Sequence, residues 1–383
     1  MQSLPDTAQL LSPLAVLETC FPAHGASCAT AAPTRPVHIV AQNAEPRWMI
    51  VGDPHDALSV LSSWRPWNLR SRLQWRAILT AASARALAWL PGLEHRTARI
   101  DTTYWRSNLS QFPENWNAVI HVGNRSHTRK AIVFFFDRNG PVEAVAKVPL
   151  VPGADRAILN EAAILSRLKR FEFAPRVRFE DPLRGVAIQS WLNGKPVARG
   201  FTNSHFDLLC TLTNENQTTR ISDRQQAIAD SLDQIDLPFP RALLSKAIDF
   251  LGYDEPLQEF IEHRDFAPWN LKWLLQGGLG LLDWEWSVAQ ALPWQDVCRF
   301  FFLDDALFHG SGNVWDKMTR SPLLLQYRRR FGIRDAALPG LTMHYLLRVL
   351  CADWQSGNAH LARHAFNQIQ SLCESNGLAA LRL

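Results

Sequence analysis

The chain has 383 residues, 47% of them hydrophobic and 20% charged, which is typical of a globular protein long enough for two lobes. Its formal net charge of +4 gives no strong case for nucleic-acid binding. The six cysteines are scattered, no stretch approaches roughly 18 uninterrupted apolar residues, and no secretory leader is evident, so we expect a cytoplasmic protein with reduced thiols and no membrane span.

Residues 1–115 are predicted to form an N-terminal α/β extension, which is either a small appended domain or a cover over the lobe that follows. Short apolar runs at residues 37–40 and 48–51 favour strands. Residues 54–64 and 70–90 have the apolar spacing of helices. Arginines and tryptophans cluster in this part of the chain, namely Arg65, Arg70, Arg72, Arg76, Trp64, Trp67 and Trp75. The cluster indicates either a surface for an anionic or sugar-like partner, or core tryptophans beside solvated arginines.

The next part of the chain, residues 116–192, is rich in apolar runs of strand length. The predicted strands cover residues 119–123, 131–136, 142–148, 176–180 and 185–192. The third of these strands carries one lysine, Lys147. A predicted helix with apolar residues at i, i+3, i+4 and i+7 spacing follows it and carries Glu161 near its start.

Most of the remaining chain, residues 193–383, is predicted to be helical. The helical segments cover residues 206–212, 223–235, 241–252, 294–308 and 343–373. Basic residues slightly outnumber acidic residues after Trp286. A polycationic ligand would need an acidic cleft, and this part of the chain does not obviously offer one.

The segment from Ile261 to Glu285 reads IEHRDFAPWNLKWLLQGGLGLLDWE and carries groups suited to phosphoryl transfer. Such a transfer needs one carboxylate that takes the proton from the attacking hydroxyl. A second carboxylate and an amide oxygen hold Mg²⁺ on the phosphates. Asp265, Asp283 and Asn270 are the candidates for these three roles. The alternative is a chance H-x-D in an ordinary loop.

Within this segment the pattern predicts a β-hairpin. Residues 271–275 favour a strand, residues 276–278 (Gln-Gly-Gly) a turn, and residues 279–282 a returning strand. A hairpin here would bring Asn270, just before the first strand, beside Asp283, just after the second. Two oxygen ligands that converge in this way suit Mg²⁺.

These motifs resemble those of the aminoglycoside phosphotransferase and choline kinase group, small-molecule kinases with a protein-kinase-like fold. That group shows H-x-D-x-x-x-x-N, an apolar strand and D-[WFY]-E, and the segment Pro293 to Val297 is similar to its P-x-x-D segment. Arg264 departs from the usual small residue and looks more like a protein kinase. Against a protein kinase, D-W-E replaces D-F-G and no A-P-E follows.

The resemblance implies an α+β, bilobal protein-kinase-like fold, and residues 1–115 lie outside it as an N-terminal extension. Residues 116–192 would form the β-rich N-lobe, and residues 193–383 the helical C-lobe with the catalytic loop and the acceptor site. Within the C-lobe, the resemblance implies that Asp296 is buried and accepts hydrogen bonds from backbone amides around residues 263–265. The alternative is an exposed helix-cap aspartate.

The resemblance also implies how the phosphates of ATP or GTP are held. Lys147 matches the strand lysine that grips the α- and β-phosphates, and Glu161 would orient it. A solvated lysine and glutamate pair is the alternative. Backbone amides and Ser126 in the loop of residues 124–130 are candidates for phosphate contacts. The loop lacks G-x-G-x-x-G, however, and is equally suited to be a plain basic hairpin loop.

The remaining site residues follow from the same resemblance. Gln189 to Leu192 resemble the hinge that binds the purine base, and Trp191 would pack either on the base or in the core. His263 belongs to the catalytic loop. Glu285 supports the metal site through water or a second ion.

Together these features predict an enzyme that moves the γ-phosphate of ATP or GTP, with Mg²⁺, to a hydroxyl of a small molecule. A sugar, polyol, aminoglycoside or choline-like acceptor is compatible with the motifs, and a neutral or anionic acceptor fits the charge balance better. The alternatives are a catalytically silent kinase-like module that binds nucleotide and, more remotely, a protein kinase.

Overall fold

The computed structural model describes residues 11–22, 33–42, 44–64, 66, 69–90, 93–109, 112, 114–138, 140–309 and 312–380. Helices and strands are mixed along the described chain, which confirms the predicted α+β class. The chain divides into two compact units. The first comprises Met1–Pro196 and Lys272–Glu285, and the second comprises Val197–Leu271 and Trp286–Leu383. Domain boundaries near residues 115 and 192 stay a prediction.

The elements are numbered here in chain order. The strands are β1 (Thr34–Gln42), β2 (Glu45–Val51), β3 (Leu93–Arg99), β4 (Asn117–Val122), β5 (Lys130–Phe136), β6 (Val142–Pro149), β7 (Val177–Asp181), β8 (Val186–Gln189), β9 (Gly194–Pro196), β10 (Thr213–Thr219), β11 (Leu257–Glu262), β12 (Leu271–Leu274), β13 (Leu279–Leu281) and β14 (Val288–Ala291). The α-helices are α1 (Pro13–Cys20), α2 (Leu58–Ser62), α3 (Leu69–Ser83), α4 (Thr103–Asn108), α5 (Ala154–Arg167), α6 (Asn203–Cys210), α7 (Gln225–Asp233), α8 (Arg241–Asp249), α9 (Gln295–Asp304), α10 (Val314–Thr319), α11 (Pro322–Arg330), α12 (Leu338–Gln355) and α13 (Ala359–Ala380).

The first unit is built on one eight-stranded sheet in the order β3-β1-β2-β4-β5-β6-β8-β7. Strands β1 to β3 of the predicted extension therefore continue the same sheet as β4 to β8. One buried cluster includes Trp105 and Trp116 together with apolar residues of β4, β5 and β6. Another includes Trp48 and Trp75 and contains residues of α2 and α3. Because apolar side chains leave the strands on both faces, the central strands are almost continuously hydrophobic.

Trp75 of the predicted tryptophan cluster is part of this core, whereas Trp64 packs against it and remains 37% exposed. The rings of Trp64 and Trp75 lie 4.8 Å apart between centroids, and both rings pack against Trp48. Trp75 is buried, so its indole is a core side chain rather than a ligand surface. Arg65 and Trp67 of the predicted cluster lie outside the described residues.

The predicted hairpin is present as β12 and β13, which neighbour each other in a three-stranded sheet with β9. The Gly277 N–H donates to the Leu274 carbonyl at 3.1 Å, and the Leu274 N–H donates to the Gly278 carbonyl at 3.1 Å. Both turn glycines have positive φ, 97° for Gly277 and 78° for Gly278. Glycine reaches that conformation without steric cost, and this explains why the Gly-Gly pair forms the turn.

The second unit combines a three-stranded sheet, β10-β11-β14, with helices α6 to α13. Helix α12 is buried along most of its length and packs against α9 and α13. The helical segment predicted at residues 343–373 is two helices, because α12 ends at Gln355 and the chain turns at Gly357, whose φ is 78°. The helix predicted at residues 70–90 ends earlier, at Ser83. The elements that were not predicted are strands β3, β9, β10, β11 and β14 and helices α1, α4, α10 and α11.

The state of the cysteines and the character of the helices can be compared with what the composition predicts. The five cysteines in the part of the chain that the structure describes are free and buried, and Cys28 lies outside it. None of the described helices combines the length and the apolar character that crossing a membrane would need.

Candidate functional site

In the first unit, Lys147 joins two acidic residues from distant parts of the sequence. Its Nζ lies 2.5 Å from Glu161 Oε2 and 2.7 Å from Asp283 Oδ1. Lys147 is buried on β6, in the middle of the sheet between β5 and β8. The predicted ion pair between Lys147 and Glu161 is therefore present, and Asp283 shares the same ammonium.

Helix α5 presents Glu161 to this lysine. The helix follows Gly153, whose φ of 91° lets the chain turn from the end of β6, and it buries one apolar face. Glu161 lies on that buried face and is only 2% exposed. Its carboxylate also accepts the backbone N–H of Trp284 at 3.3 Å. Glu161 thus holds both the lysine and the D-W-E segment.

A second lysine, which the sequence reasoning missed, contacts the same carboxylates. Lys130 is the first residue of β5, and its Nζ donates to Asp283 Oδ1 at 3.0 Å and to the Glu285 carboxylate. In the sequence, Lys130 is the last residue of the basic loop at residues 124–130. Its position at the junction of a basic loop and an apolar strand was the available signal, but its partners are more than 150 residues away.

The close packing of these charges shifts their pKa values. Burial by itself would lower the pKa of Lys147, but the carboxylates of Asp283 and Glu161 outweigh it and raise the pKa. Burial would raise the pKa of Asp283, but the ammonium groups of Lys130 and Lys147 hold it well below its usual range. Burial and the neighbouring Asp283 raise the pKa of Glu285. The two lysines therefore favour the ionised form of Asp283, whereas burial and the charge of Asp283 disfavour the ionised form of Glu285.

The backbone is strained at the functional motifs. Arg264 in H-R-D, Asp283 in D-W-E and Trp294 in the P-x-x-D segment have φ of 66°, 66° and 76°. Only two other non-glycine residues with positive φ, Ala44 and Arg85, occur in the described chain. Such conformations cost on the order of 1–3 kcal/mol and persist where the surrounding structure enforces them, most often at functional sites.

The loop that carries Ser126 is held by ion pairs rather than by glycines. Ser126 is exposed, and its Oγ lies 3.5 Å from Thr128 Oγ1. Glu45 on β2 accepts hydrogen bonds from Arg125 at 2.9 Å and from Arg129 at 3.1 Å. The N-terminal extension therefore fixes the loop to the sheet, an arrangement that the sequence alone did not show.

The predicted hinge consists of a strand end followed by an irregular segment. Gln189 is buried in β8, where it pairs with Val145 on β6. The ring of Trp191 contacts Phe134 edge-on at 5.4 Å between centroids, and the Nζ of Lys272 lies 3.5 Å from the centroid of the Trp191 ring. Lys272 was not among the predicted site residues.

In the second unit, Asn270 and Asp265 are brought together. The Asn270 side-chain amide donates to Asp265 Oδ2 at 2.8 Å and to the Asp265 carbonyl at 2.9 Å. The buried His263 accepts the Asp265 N–H at 3.2 Å through Nδ1. These bonds fix the loop from both sides of Asp265, and they leave the amide oxygen of Asn270 as its acceptor group.

Another group that the sequence reasoning missed is Arg299, on the first turns of α9. Its Nη2 donates to Asp265 Oδ1 at 2.9 Å. The Asp265 carboxylate is 22% exposed, and the Arg299 side chain is 19% exposed. Arg299 follows Asp296 by three residues, so the helical spacing was visible in the sequence, but nothing there indicated its partner.

Asp296 supports this loop as predicted. The residue is buried, and its carboxylate accepts the backbone N–H groups of His263 and Arg264. Burial and the nearby carboxylate of Glu262 raise the pKa of Asp296 to about 7. The predicted hydrogen bonds to Asp296 from the backbone amides around residues 263–265 are confirmed.

The predicted metal ligands supply hard oxygen atoms in a mixed set. Among the described residues, no cluster of three or more His, Cys, Asp and Glu side chains could hold a metal ion. The predicted set instead relies on the carboxylates of Asp283 and Glu285 and the amide oxygen of Asn270. Oxygen ligands of this kind suit Mg²⁺, and the ammonium of Lys130 on both carboxylates marks a place that attracts positive charge. The convergence of Asn270 with Asp283 stays a prediction.

The described structure is similar to several solved structures of small-molecule phosphotransferases. No protein-family model matches the sequence, and no curated protein matches it either. Similar solved structures include choline kinase from Streptococcus pneumoniae, which is 13% identical with a TM-score of 0.44 over 66% of this chain and 92% of that one. The GDP complex of aminoglycoside 2'-phosphotransferase-IIIa is 12% identical with a TM-score of 0.45 over 67% and 93%. A thermostable mutant of aminoglycoside phosphotransferase APH(4)-Ia with ADP and hygromycin B is 13% identical with a TM-score of 0.45 over 67% and 93%. These proteins belong to the group that the sequence motifs resemble.

Proposed function

We propose that this chain is a small-molecule O-phosphotransferase that uses ATP or GTP with Mg²⁺. Lys147 binds the nucleotide phosphates and is oriented by Glu161. Asp265 accepts the proton of the acceptor hydroxyl. Asp283, Asn270 and, through water or a second ion, Glu285 are the proposed metal ligands. The acceptor is a sugar, polyol, aminoglycoside or choline-like molecule.

The observation that carries this proposal is the ammonium of Lys147 bound to both Glu161 and Asp283. These residues come from a central strand, a helix and the D-W-E segment, and they are buried or partly buried. Burying a lysine and its carboxylate partners costs desolvation free energy that their attraction only partly offsets. The presence of the buried lysine here therefore favours a functional role. Phosphoryl transfer requires such a lysine, since positioned positive charge stabilises the transferred phosphoryl group.

The donor set is compatible with Mg²⁺. A bound Mg²⁺ would neutralise charge on the phosphates. Asp283 and Glu285 offer carboxylate oxygens, and Lys130 now contacts both of them. When nucleotide binds, Lys130 exchanges its carboxylate partners for phosphate oxygens, because both are anionic groups that accept from an ammonium.

Asp265 is held in a fixed orientation for its proposed role. Asn270 donates to Oδ2, and Arg299 donates to Oδ1. A fixed carboxylate is required because a general base must lie within hydrogen-bond distance of the proton that it accepts. Since the carboxylate is 22% exposed, an acceptor hydroxyl has access to it.

The proposal is tested first by nucleotide binding and then by turnover. Calorimetric titration of the full chain with Mg²⁺ and ADP or GDP should show binding that Lys147→Ala weakens strongly. Lys169→Ala is the matched control, since Lys169 is exposed on the surface and should behave as wild type. A screen of hydroxyl-bearing small molecules that reads nucleotide consumption then identifies the acceptor. Undiminished nucleotide binding by Lys147→Ala would contradict the proposal.

A catalytically silent nucleotide-binding module is the second candidate, and one observation favours it. The Asp265 carboxylate is already occupied by Arg299 and Asn270, and the carboxylates of Asp283 and Glu285 by lysines. Such a module would bind nucleotide as tightly as an enzyme does. It would consume none with any acceptor, and the turnover screen therefore separates the two candidates.

A further inference from the structure

Lys272 is a buried cation to which the proposed chemistry assigns no task. The residue lies on β12 and is 6% exposed, and none of the ion pairs found among the described residues includes it. Its Nζ lies 3.5 Å from the centroid of the Trp191 ring and 3.5 Å from the carbonyl oxygen of Leu192. A buried ammonium is costly, so this side chain calls for a partner.

The partners present use only part of its hydrogen-bonding capacity. An ammonium has three donors and no acceptor. The Leu192 carbonyl lies at the outer limit of hydrogen-bond distance, and the ring face of Trp191 attracts the charge without accepting a conventional hydrogen bond. At least one donor, and at most two, can therefore serve a bound molecule.

The position of Lys272 relative to the proposed phosphate site suits a nucleotide base. Lys147 pairs across the sheet with Ala187 on β8, and Trp191 follows Ala187 by four residues. Four residues of fully extended chain span at most roughly 13–14 Å. The ribose and phosphates of a nucleotide can bridge this separation, which places the base at Trp191 and Leu192.

We propose that Lys272 makes this nucleotide site selective for guanine over adenine. The inference rests on the proposed function, because it requires the base to lie against the segment of Trp191 and Leu192. Guanine presents two acceptors, O6 and N7, on one edge, whereas adenine presents the N7 acceptor beside the N6 amino donor. A lysine ammonium complements the first edge and opposes the amino group of the second.

The Leu192 carbonyl strengthens the same preference. An adenine amino group would need an acceptor at this position, and the carbonyl of Leu192 is the nearby candidate. That carbonyl already faces the ammonium of Lys272. Adenine would therefore have to displace the ammonium of Lys272 from this carbonyl, whereas guanine would accept a hydrogen bond from that ammonium.

The inference is tested by titrating the full chain with the Mg²⁺ complexes of GDP, inosine diphosphate and ADP. Inosine shares O6 and N7 with guanine but lacks the 2-amino group. If Lys272 reads the O6 edge, GDP and inosine diphosphate bind alike and roughly tenfold or more tighter than ADP, as expected for one well-placed contact. Equal affinities for all three nucleotides, or tighter binding of ADP, would overturn the inference.

A substitution ties the preference to this side chain. Lys272→Met keeps an unbranched chain of similar length without charge, and should bring GDP affinity down to that of ADP. Lys169→Met, at an exposed position, should leave the preference unchanged. A preference that survives in Lys272→Met contradicts the assignment of the lysine. Should that variant fail to fold, the wild-type comparison of the three diphosphates decides. Binding of none of the three nucleotides would instead contradict the proposed function itself.

Discussion

The carboxylate of Asp296 accepts the backbone N–H of His263 at 2.7 Å, and its other oxygen accepts the N–H of Arg264 at 2.9 Å. Arg264 has positive φ, so both amides point toward the start of α9 instead of continuing β11. One buried side chain thus satisfies two backbone donors beside a residue with a strained backbone, where unpaired amides would be costly.

Replacing Asp296 with alanine should therefore destabilise the second unit. The loss is expected at about 1–3 kcal/mol, because two backbone donors remain without partners in a buried place. The midpoint of chemical denaturation measures it. Asp233→Ala is the matched control, since the Asp233 side chain is 85% exposed. An unchanged midpoint in the Asp296 variant would show that water or another group replaces the carboxylate.

Asp265→Asn should lower kcat by at least about 100-fold while nucleotide affinity stays close to wild type, since the proposed base acts on the acceptor. Steady-state kinetics and calorimetry measure the two quantities separately. The proposed role of Asp265 would be contradicted by turnover near that of wild type.

Arg299→Gln should have a smaller effect on kcat, on the order of tenfold, because the arginine orients the carboxylate without contacting the transferred phosphoryl group. The Asp265 carboxylate would keep its bond to Asn270. Nucleotide affinity is the internal control and should not change. A kcat as low as that of Asp265→Asn would instead place Arg299 in direct contact with the reacting groups.

Lys130→Met should strengthen the binding of a divalent ion in the absence of nucleotide. In the free protein the ammonium of Lys130 and a metal ion compete for the carboxylates of Asp283 and Glu285. Titration with Mn²⁺ followed by electron paramagnetic resonance measures this affinity. Lys169→Met serves as the control for the loss of one positive charge. Weaker Mn²⁺ binding in Lys130→Met would argue against a metal site on these carboxylates.

Glu45 should make the stability of the first unit depend on acid pH. Burial would raise the pKa of Glu45, but hydrogen bonds from Arg129 and Arg125 lower it from 4.5 to about 2. Because the pKa is lower in the folded chain, this contribution is complete above pH 4.5 and is lost as the pH falls toward 2. Thermal unfolding of wild type and Glu45→Gln should differ most near neutral pH, and the difference should shrink between pH 4.5 and 2. A difference in unfolding temperature that stays constant over this pH range would show that the ion pairs of Glu45 do not contribute to stability.

The local patterns in the sequence determined much of the site. The H-x-D-x-x-x-x-N motif identified Asp265 and Asn270, five residues apart, although the hydrogen bond between them became visible only in the structure. The Gly-Gly turn specified the β12–β13 hairpin, because glycine fits the two positive φ angles there. Lys147 and Glu161 lie on a strand and the helix that follows it, so their pairing could also be predicted from short-range order.

The contacts of Lys130, Lys272 and Glu45, in contrast, became visible only in the tertiary structure. Lys130 lies 153 residues from Asp283, Lys272 lies 80 residues from Leu192, and Glu45 lies 84 residues from Arg129. Sequence periodicity reports which face of an element is buried, but not which element lies against that face. The pairing of β2 with β4 sets the position of Glu45, and the fold of the β12–β13 hairpin sets that of Lys272. The sequence therefore determined the chemical groups at the site, and the packing of distant elements decided how each of them is partnered.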